Sequence, residues 1–169
     1  MTALASDAGL AGLWFDAQAH HPGPSQAPVD PNHPHLRAAQ RWLDAYWAAA
    51  SNAAAPLPHK TPLGATLLDT PPLDLRGTPF QRAVWAALLS IPPGATSTYA
   101  AVAAAAGSPA AVRAAGAAIG RNPVSLIVPC HRVLGRDGSL TGYAGGLERK
   151  RALLVHEGVQ GCRNLSLSG

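Results

Sequence analysis

The sequence predicts a small α+β unit over residues 1–75 joined to a mostly α-helical domain over 76–169 that contains a helix-turn-helix. Three observations carry that expectation. The first part holds one strand-like stretch and one amphipathic helix; a Pro/Gly-rich break with little periodicity runs from Ala53 to Thr78; and beyond it short helical patterns are punctuated by Gly and Pro. A chain of 169 residues buries a sizeable core, as one domain or as two small ones sharing an interface.

In chain order, "LAGLWFD" is the strand candidate, and the Pro/His-rich "HHPGPSQAPVDPNHPH" after it is a loop. "HLRAAQRWLDAYWAAA" then spaces Leu36, Ala39, Leu43, Tyr46 and Trp47 at helical intervals. After the break, "TPFQRAVWAALLSIPPG" opens with Thr78 as N-cap and Pro79 at the first helical position, keeps Phe80, Val84, Trp85, Leu88 and Leu89 on one face, and stops at Pro92-Pro93-Gly94. "TSTYAAVAAAAGSPAAVRAAGAAIGRNP" reads as two short Ala-rich helices, the first ended by Gly107 and the second begun by Ser108-Pro109. That is the outline of a helix-turn-helix, although Ala-rich helix pairs also simply pack together. "VSLIV" is expected to be a short buried strand stopped by Pro129, and "GLERKRALLVHEG" a helix with Arg149, Lys150 and Arg151 in its early turns.

Composition narrows the function classes. The Ala-rich runs fall far short of the roughly 18 apolar residues that span a bilayer. No Lys or Arg precedes Arg37, as a secretory signal would require, so a cytoplasmic location is expected. Cys130 and Cys162 make neither a disulfide framework nor a zinc pair, and His20, His21, His33, His35 and His59 fall in loops where solvated side chains are expected; no metal and no cofactor is called for. Residues 1–75 carry three basic groups against six acidic, and residues 76–169 ten against three. A basic second half suits a phosphate backbone, or is an ordinary solvated face.

Cys130 can be a packed thiol, a metal ligand or a nucleophile. Adjacent His131 and Arg132 favour a thiolate, and the end of a strand holds a group rigidly while leaving it accessible. An activated thiol needs a base and the base an orienting partner. His131 can be the base, directly or through one water. Of the three acids after residue 76, Asp137 falls in the turn "GRDGS" and Glu148 among basic residues, both expected in solvent. Glu157 ends a helix, where the dipole disfavours a carboxylate unless something compensates, so it is the candidate partner of His131. Arg113 is the only charged residue between Gly94 and Gly120, among Ala110, Ala114, Gly116 and Ala117. It is either a lone cation on a helix face smooth enough to approach a surface closely, or a plain surface arginine.

Five stretches in order, "TYAAVAAAAGSPAAVRAAGAAIGRNP", "RNPVSLIVPCHRV", "PCHRV", "GYAGGLERK" and "HEG", give residues Gly77 to Gly158 a resemblance to the O6-alkylguanine-DNA alkyltransferases, the methylated-DNA:protein-cysteine methyltransferases. "GLAGLWFD" and "QRWLDAYW" are similar to the small N-terminal domain of bacterial members, with the first strand cut back. The resemblance implies a ribonuclease H-like first domain and a winged-helix-like second one. It implies irreversible transfer of an alkyl group from O6 of guanine, and from O4 of alkylthymine, to Cys130 of a monomer on double-stranded DNA. His131 would take the thiol proton through a water and give a thiolate at neutral pH, Glu157 would orient His131, and Asn122 would be the hinge. The second helix would enter the minor groove with Arg113 as the finger replacing the flipped nucleotide, and Ala114, Gly116, Ala117, Thr98 and Arg121 would also meet DNA. Tyr99 would press on the adjacent phosphate and donate to the guanine ring. Val133, Tyr143, Ala144, Ser125 and Lys150 would form the base pocket; relatives with Ser where this chain has Ala144 use the same backbone contact. Two other readings stand beside this one: a module that senses alkylated bases without repairing them, which in the family lacks the acceptor cysteine, and a thiol hydrolase built on Cys130 and His131.

Overall fold

The computed structural model describes residues 1–51 and 70–159. The expected linker, apart from its last residues, lies outside them, as do Lys60, His59 and Cys162. The described chain is α+β, with two small sheets and five helices.

Strands β1 (Thr2–Ser6) and β2 (Gly9–Trp14) pair antiparallel from Thr2↔Trp14 to Ser6↔Gly9, with a bulge between Leu4 and Ala5. A further stretch at Pro72–Asp74 runs along the other edge of β2: the Leu10 N–H donates to Pro72 O at 2.7 Å and the Asp74 N–H to Leu10 O at 3.0 Å. The approach is so close that a Cβ on Gly9 would lie 2.5 Å from Pro72 O, so only glycine fits there. Helix α1 (Pro34–Ser51) packs on this sheet. Its inward face is Ala39, Trp42, Tyr46 and Ala49, whereas Trp47 is exposed. The stripe is thus rotated from the expected one: Trp42, one helical turn before Tyr46, is fully buried, while Leu36 and Leu43 are only partly buried at its edge.

Helix α2 (Pro79–Leu89) starts with a complete capping box: Thr78 Oγ1 accepts the Gln81 N–H, and Gln81 Oε1 accepts the Thr78 N–H. After it come β3 (Ser97–Thr98), α3 (Tyr99–Ala105) and α4 (Val112–Gly120), and α2, α3 and α4 pack on one another. Gly107 at φ +75° turns the chain after α3, as expected. The second helix of the pair starts at Val112, not at Ser108-Pro109; residues 109–110 form a turn, and Ala111 caps the helix without a side-chain bond. The Trp85 indole N–H donates to Ala118 O at 2.9 Å, locking α2 to α4.

The expected strand at "VSLIV" does not form. Only Val124 bridges, parallel to Leu13, and the chain then turns through Ser125, Leu126 and Ile127 with Leu126 at φ +70°. All five side chains are buried, so an apolar run that reads as a strand is instead a compact corner in the core. Pro129 leads into a single 3₁₀ turn, Cys130–Arg132, and β4 (Val133–Leu134) pairs parallel to β3. Helix α5 (Leu147–His156) closes the described chain. One continuous core unites Leu10, Leu13, Trp42 and Tyr46 with Val84, Trp85, Val102, Ile119 and Ile127. No helix among the described residues is long and apolar enough to cross a membrane.

Two stability changes follow from these contacts. Replacing Leu13, buried beneath the corner, by Ala is expected to cost about 2–5 kcal/mol, read from the urea midpoint at unchanged m. Thr78→Ala removes one arm of the capping box and is expected to cost about 1 kcal/mol in the same assay.

Candidate active site

The 3₁₀ turn sets three consecutive side chains to different tasks. Cys130 is 4% exposed, and its Sγ accepts a hydrogen bond from Asn122 Nδ2 at 3.0 Å. Asn122, just past the end of α4, also donates to Val128 O at 2.7 Å and accepts the Val124 N–H at 3.0 Å, so one amide ties the helix end, the corner and the thiol together. His131 is fully buried, with Nε2 2.8 Å from Glu157 Oε1. Arg132 is fully buried too: Nε and Nη2 donate to the two Glu157 oxygens at 2.7 Å each, and Nη1 donates to Ile91 O. Glu157 therefore sits at the C-cap of α5 against the dipole, compensated by a bidentate arginine and a histidine.

The electrostatics follow from burial and pairing. Burial alone would raise the Glu157 carboxyl, but the hydrogen bonds of His131 and Arg132 and the charge of Arg132 hold it well below the usual carboxylate range. Burial pushes His131 down despite the carboxylate beside it, so the ring is neutral at pH 7 and free to accept a proton. Burial pushes the Cys130 thiol up, opposed by the Asn122 hydrogen bond and the Lys150 charge. The resting sulfur is therefore a thiol, not the thiolate expected from the sequence. The neighbouring cations do not activate it, because Arg132 turns to Glu157 and His131 is uncharged.

Lys150 lies buried behind the site with Nζ donating to Val133 O at 2.5 Å and Thr141 O at 2.6 Å, and burial brings its ammonium down to about 8. The Val133 backbone is engaged on both sides, its N–H donating to Cys130 O. Tyr99 donates to Thr141 O at 2.9 Å and Gly142 O at 3.2 Å. The Tyr143 ring stands edge-on to His131 with centroids 6.5 Å apart. Its hydroxyl and His131 Nδ1 are buried polar atoms with no hydrogen-bond partner among the described residues.

Of these groups Tyr99 and Tyr143, both near enough to Cys130 to feel its charge, line a cleft of about 250 Å³ together with Gly116, Ile119, Gly120, Gly142 and Ala144, and with Ala19 and His20 from the loop after β2. The Ala19 N–H donates to Ala144 O at 2.8 Å. Ser125, expected at the pocket wall, instead points its hydroxyl at Gln18 Oε1, 3.0 Å away. On α4, Arg113, Ala114 and Ala117 are exposed, as is Arg121 at its C-terminal cap, with Gly116 half-buried beside them against Tyr99. Thr98 spends its hydroxyl capping α3 through the Ala101 N–H. Asp137 and Glu148 are exposed, as is His20. Among the described residues no three His, Cys, Asp or Glu side chains cluster to hold a metal. A larger, open depression of about 560 Å³, bordered by Thr2, Asp16 and His21, shares no lining residue with this cleft.

Sequence reasoning assigned no site role to two groups on Glu157. Arg132 stood in the motif but was read as a neighbour of the thiol. Tyr46, which donates to Glu157 Oε1 at 2.9 Å from 111 positions earlier, had only its helical spacing to show.

Comparison with known proteins gives concordant results. Residues 79–159 match the family profile "6-O-methylguanine DNA methyltransferase, DNA binding domain". A methylated-DNA–protein-cysteine methyltransferase of Salmonella typhimurium is 58% identical over 92 residues, 54% of this chain and 54% of that protein. One of Mycobacterium tuberculosis is 56% identical over 95 residues, 56% of this chain and 58% of that protein. The matched stretch thus spans about half the length of these curated relatives. The crystal structure of Mycobacterium tuberculosis OGT in complex with DNA is similar over 92% of this chain and 85% of that one, at 40% identity and a TM-score of 0.72.

The buried triad makes stability acid-sensitive. His131 is depressed in the fold, so the unfolded chain takes up its proton first, and stability falls once pH drops below the ordinary histidine value of about 6.5. Glu157 adds stability that is complete above the ordinary carboxylate range and is lost as pH falls through its lower folded value. Tm is expected to decline steadily from pH 7 to pH 4. Glu157→Gln, which leaves Arg132 buried without a counter-charge, is expected to cost about 3–5 kcal/mol at pH 7 in urea unfolding.

Proposed function

The chain belongs to the 6-O-methylguanine DNA methyltransferase family, and on that premise we propose that it repairs DNA by moving an alkyl group from O6 of guanine to Cys130. The observation that carries this reading is a thiol held by Asn122, beside a neutral buried histidine on a carboxylate, behind a cleft bordered by an exposed small-residue helix face. A thiol hydrolase needs the base and the orienting acid but not the smooth α4 stripe. A sensor needs the stripe but not the nucleophile.

The chemistry balances within the chain and its substrate. The thiol proton passes to His131 Nδ1, the buried atom without a partner, through one water, and Glu157 stabilises the imidazolium that forms. The sulfur attacks the alkyl carbon; the S–C bond forms as the C–O6 bond breaks, and its electrons remain on the guanine. Tyr99 turns its hydroxyl from the Thr141 and Gly142 carbonyls to donate to the ring as that charge develops. The imidazolium proton then passes through water to the guanine anion, so that, net, the thiol hydrogen is exchanged for the alkyl group, which calls for no cofactor. The thioether is not reversed, so each molecule acts once. Lys150 places its charge near the departing oxygen, and backbone groups of Cys130, Val133 and Ala144 hold the base beside Tyr143.

DNA reaches this thiol only if the base leaves the stack, because O6 of a paired guanine cannot approach a buried sulfur. Helix α4 lies in the minor groove, with Arg113 filling the gap and Ala114, Gly116, Ala117, Thr98 and Arg121 along the backbone. O4-alkylthymine enters the same pocket. Residues 1–75, a reduced ribonuclease H-like unit of sheet and α1, support a winged-helix-like domain over 76–169, and the protein works as a cytoplasmic monomer.

Duplex containing O6-[³H-methyl]guanine is expected to transfer label to Cys130 up to one equivalent, with none on Cys130→Ser. Turnover beyond one equivalent, or label that never reaches protein, would rule the reading out. Arg113→Ala is expected to slow repair of duplex about tenfold or more while reaction with free O6-benzylguanine is unchanged; equal losses on both would remove the flipping role.

A further inference from the structure

Glu157 Oε1 is the oxygen that holds His131, and it accepts three donors: His131 Nε2 at 2.8 Å, Arg132 Nη2 at 2.7 Å and Tyr46 OH at 2.9 Å. Two of them come from the same turn as the nucleophile. The third comes from α1, in the part of the chain outside residues 79–159 that match the family profile.

Tyr46 is held for this contact from every side. Its ring is fully buried, stacked on Trp42 at 5.3 Å and on His156 at 4.7 Å, with Trp47 edge-on at 5.0 Å. His156 Nε2 in turn lies 2.9 Å from the Tyr46 carbonyl oxygen, so α1 and the end of α5 are joined by a ring stack and a main-chain contact next to Glu157. Burial and the nearby Glu157 charge push the phenol well above its ordinary value, so the hydroxyl is present only as a donor.

We propose that Tyr46 is a positioning residue of the thiol relay, through which α1 sets how strongly Glu157 binds the proton of His131. A carboxylate oxygen that shares its charge among three donors has less left for any one of them. The Tyr46 hydroxyl therefore fixes the orientation of Glu157 and moderates its pull on His131, keeping the imidazole neutral at rest and able to take the thiol proton. This rests on the relay described under the proposed function but not on guanine as the substrate.

The charged and titratable groups that face His131 and its carboxylate are Glu157 and Arg132, Lys150 behind the site, the adjacent Cys130 thiol, Tyr143 edge-on to the ring, Tyr46 and, stacked on Tyr46, His156. The test uses full-length chain with Cys162→Ser, so that iodoacetamide reports on Cys130 alone, followed from pH 4.5 to pH 9. Tyr46→Phe keeps the ring and both stacks and removes only the donor. It is expected to slow alkylation about tenfold on the plateau and to move the acid limb to higher pH, because Glu157 then holds the His131 proton more tightly. Leu13→Ala, which loosens the core without touching the relay, is expected to leave the acid limb in place. An unchanged limb in Tyr46→Phe, or an equal displacement in Leu13→Ala, overturns the proposal.

A second measurement needs no altered relay. In protein grown with 3-fluorotyrosine, the three tyrosines are assigned through Tyr99→Phe and Tyr143→Phe, and the ¹⁹F resonance of Tyr46 is expected to titrate with the acid limb. A Tyr46 resonance that stays still there overturns the proposal. Benzylguanine transfer is scored separately: its failure in the parent protein would remove the repair reading while the Tyr46 result stands.

Discussion

The carboxylate of Glu157 is the constraint on which the site depends. A buried charge at the C-terminal end of a helix is costly by desolvation and by the dipole, and it persists only where donors converge on it. Here those donors are drawn from α1 and from the turn after the nucleophile. Satisfying one charge therefore fixes Arg132, which reaches on to the carbonyl of Ile91 beyond α2, and orients His131, which adjoins the thiol. Charge compensation and catalytic geometry are one arrangement, so the acid cannot be weakened without disturbing both.

This explains why the thiol is quiet at rest. Adjacent cationic residues in a sequence suggest a lowered thiol, but proximity along the chain says little about direction in space. Successive residues of a 3₁₀ turn diverge by about a third of a turn each, so Arg132 faces Glu157 while Cys130 faces Asn122. Burial then prevails over the hydrogen bonds to the sulfur and the charge of Lys150. A protonated, enclosed sulfur is slow toward oxidants and electrophiles until its proton can leave.

The helical half of the fold was legible because its signals are local. Thr78-Pro79, the Gly107 stop and the apolar face of α2 each follow from a few neighbouring residues. The pairing of His131 with Glu157 was legible through scarcity, there being only three acids after residue 76. What escaped were long-range effects. Whether "VSLIV" extends or folds back depends on contacts with Leu13 and Gln18, and apolarity alone does not distinguish the two. The role of Tyr46 depends on α5 ending beside α1, which no spacing in either segment encodes.

The corner at Leu126 bears on how the molecule ages and evolves. A leucine in the left-handed region stores about 1 kcal/mol or more of strain where glycine would store little, yet its side chain is wholly enclosed. The backbone bend and the filling of the core are thus latched together, like a spring held shut by the object it grips. A substitution to glycine would relax the bend and empty the core at once, so neither gain nor loss comes alone. The segment that delivers the sulfur is consequently closed to gradual drift, and a lineage can change it only by changing the bend and its filling together.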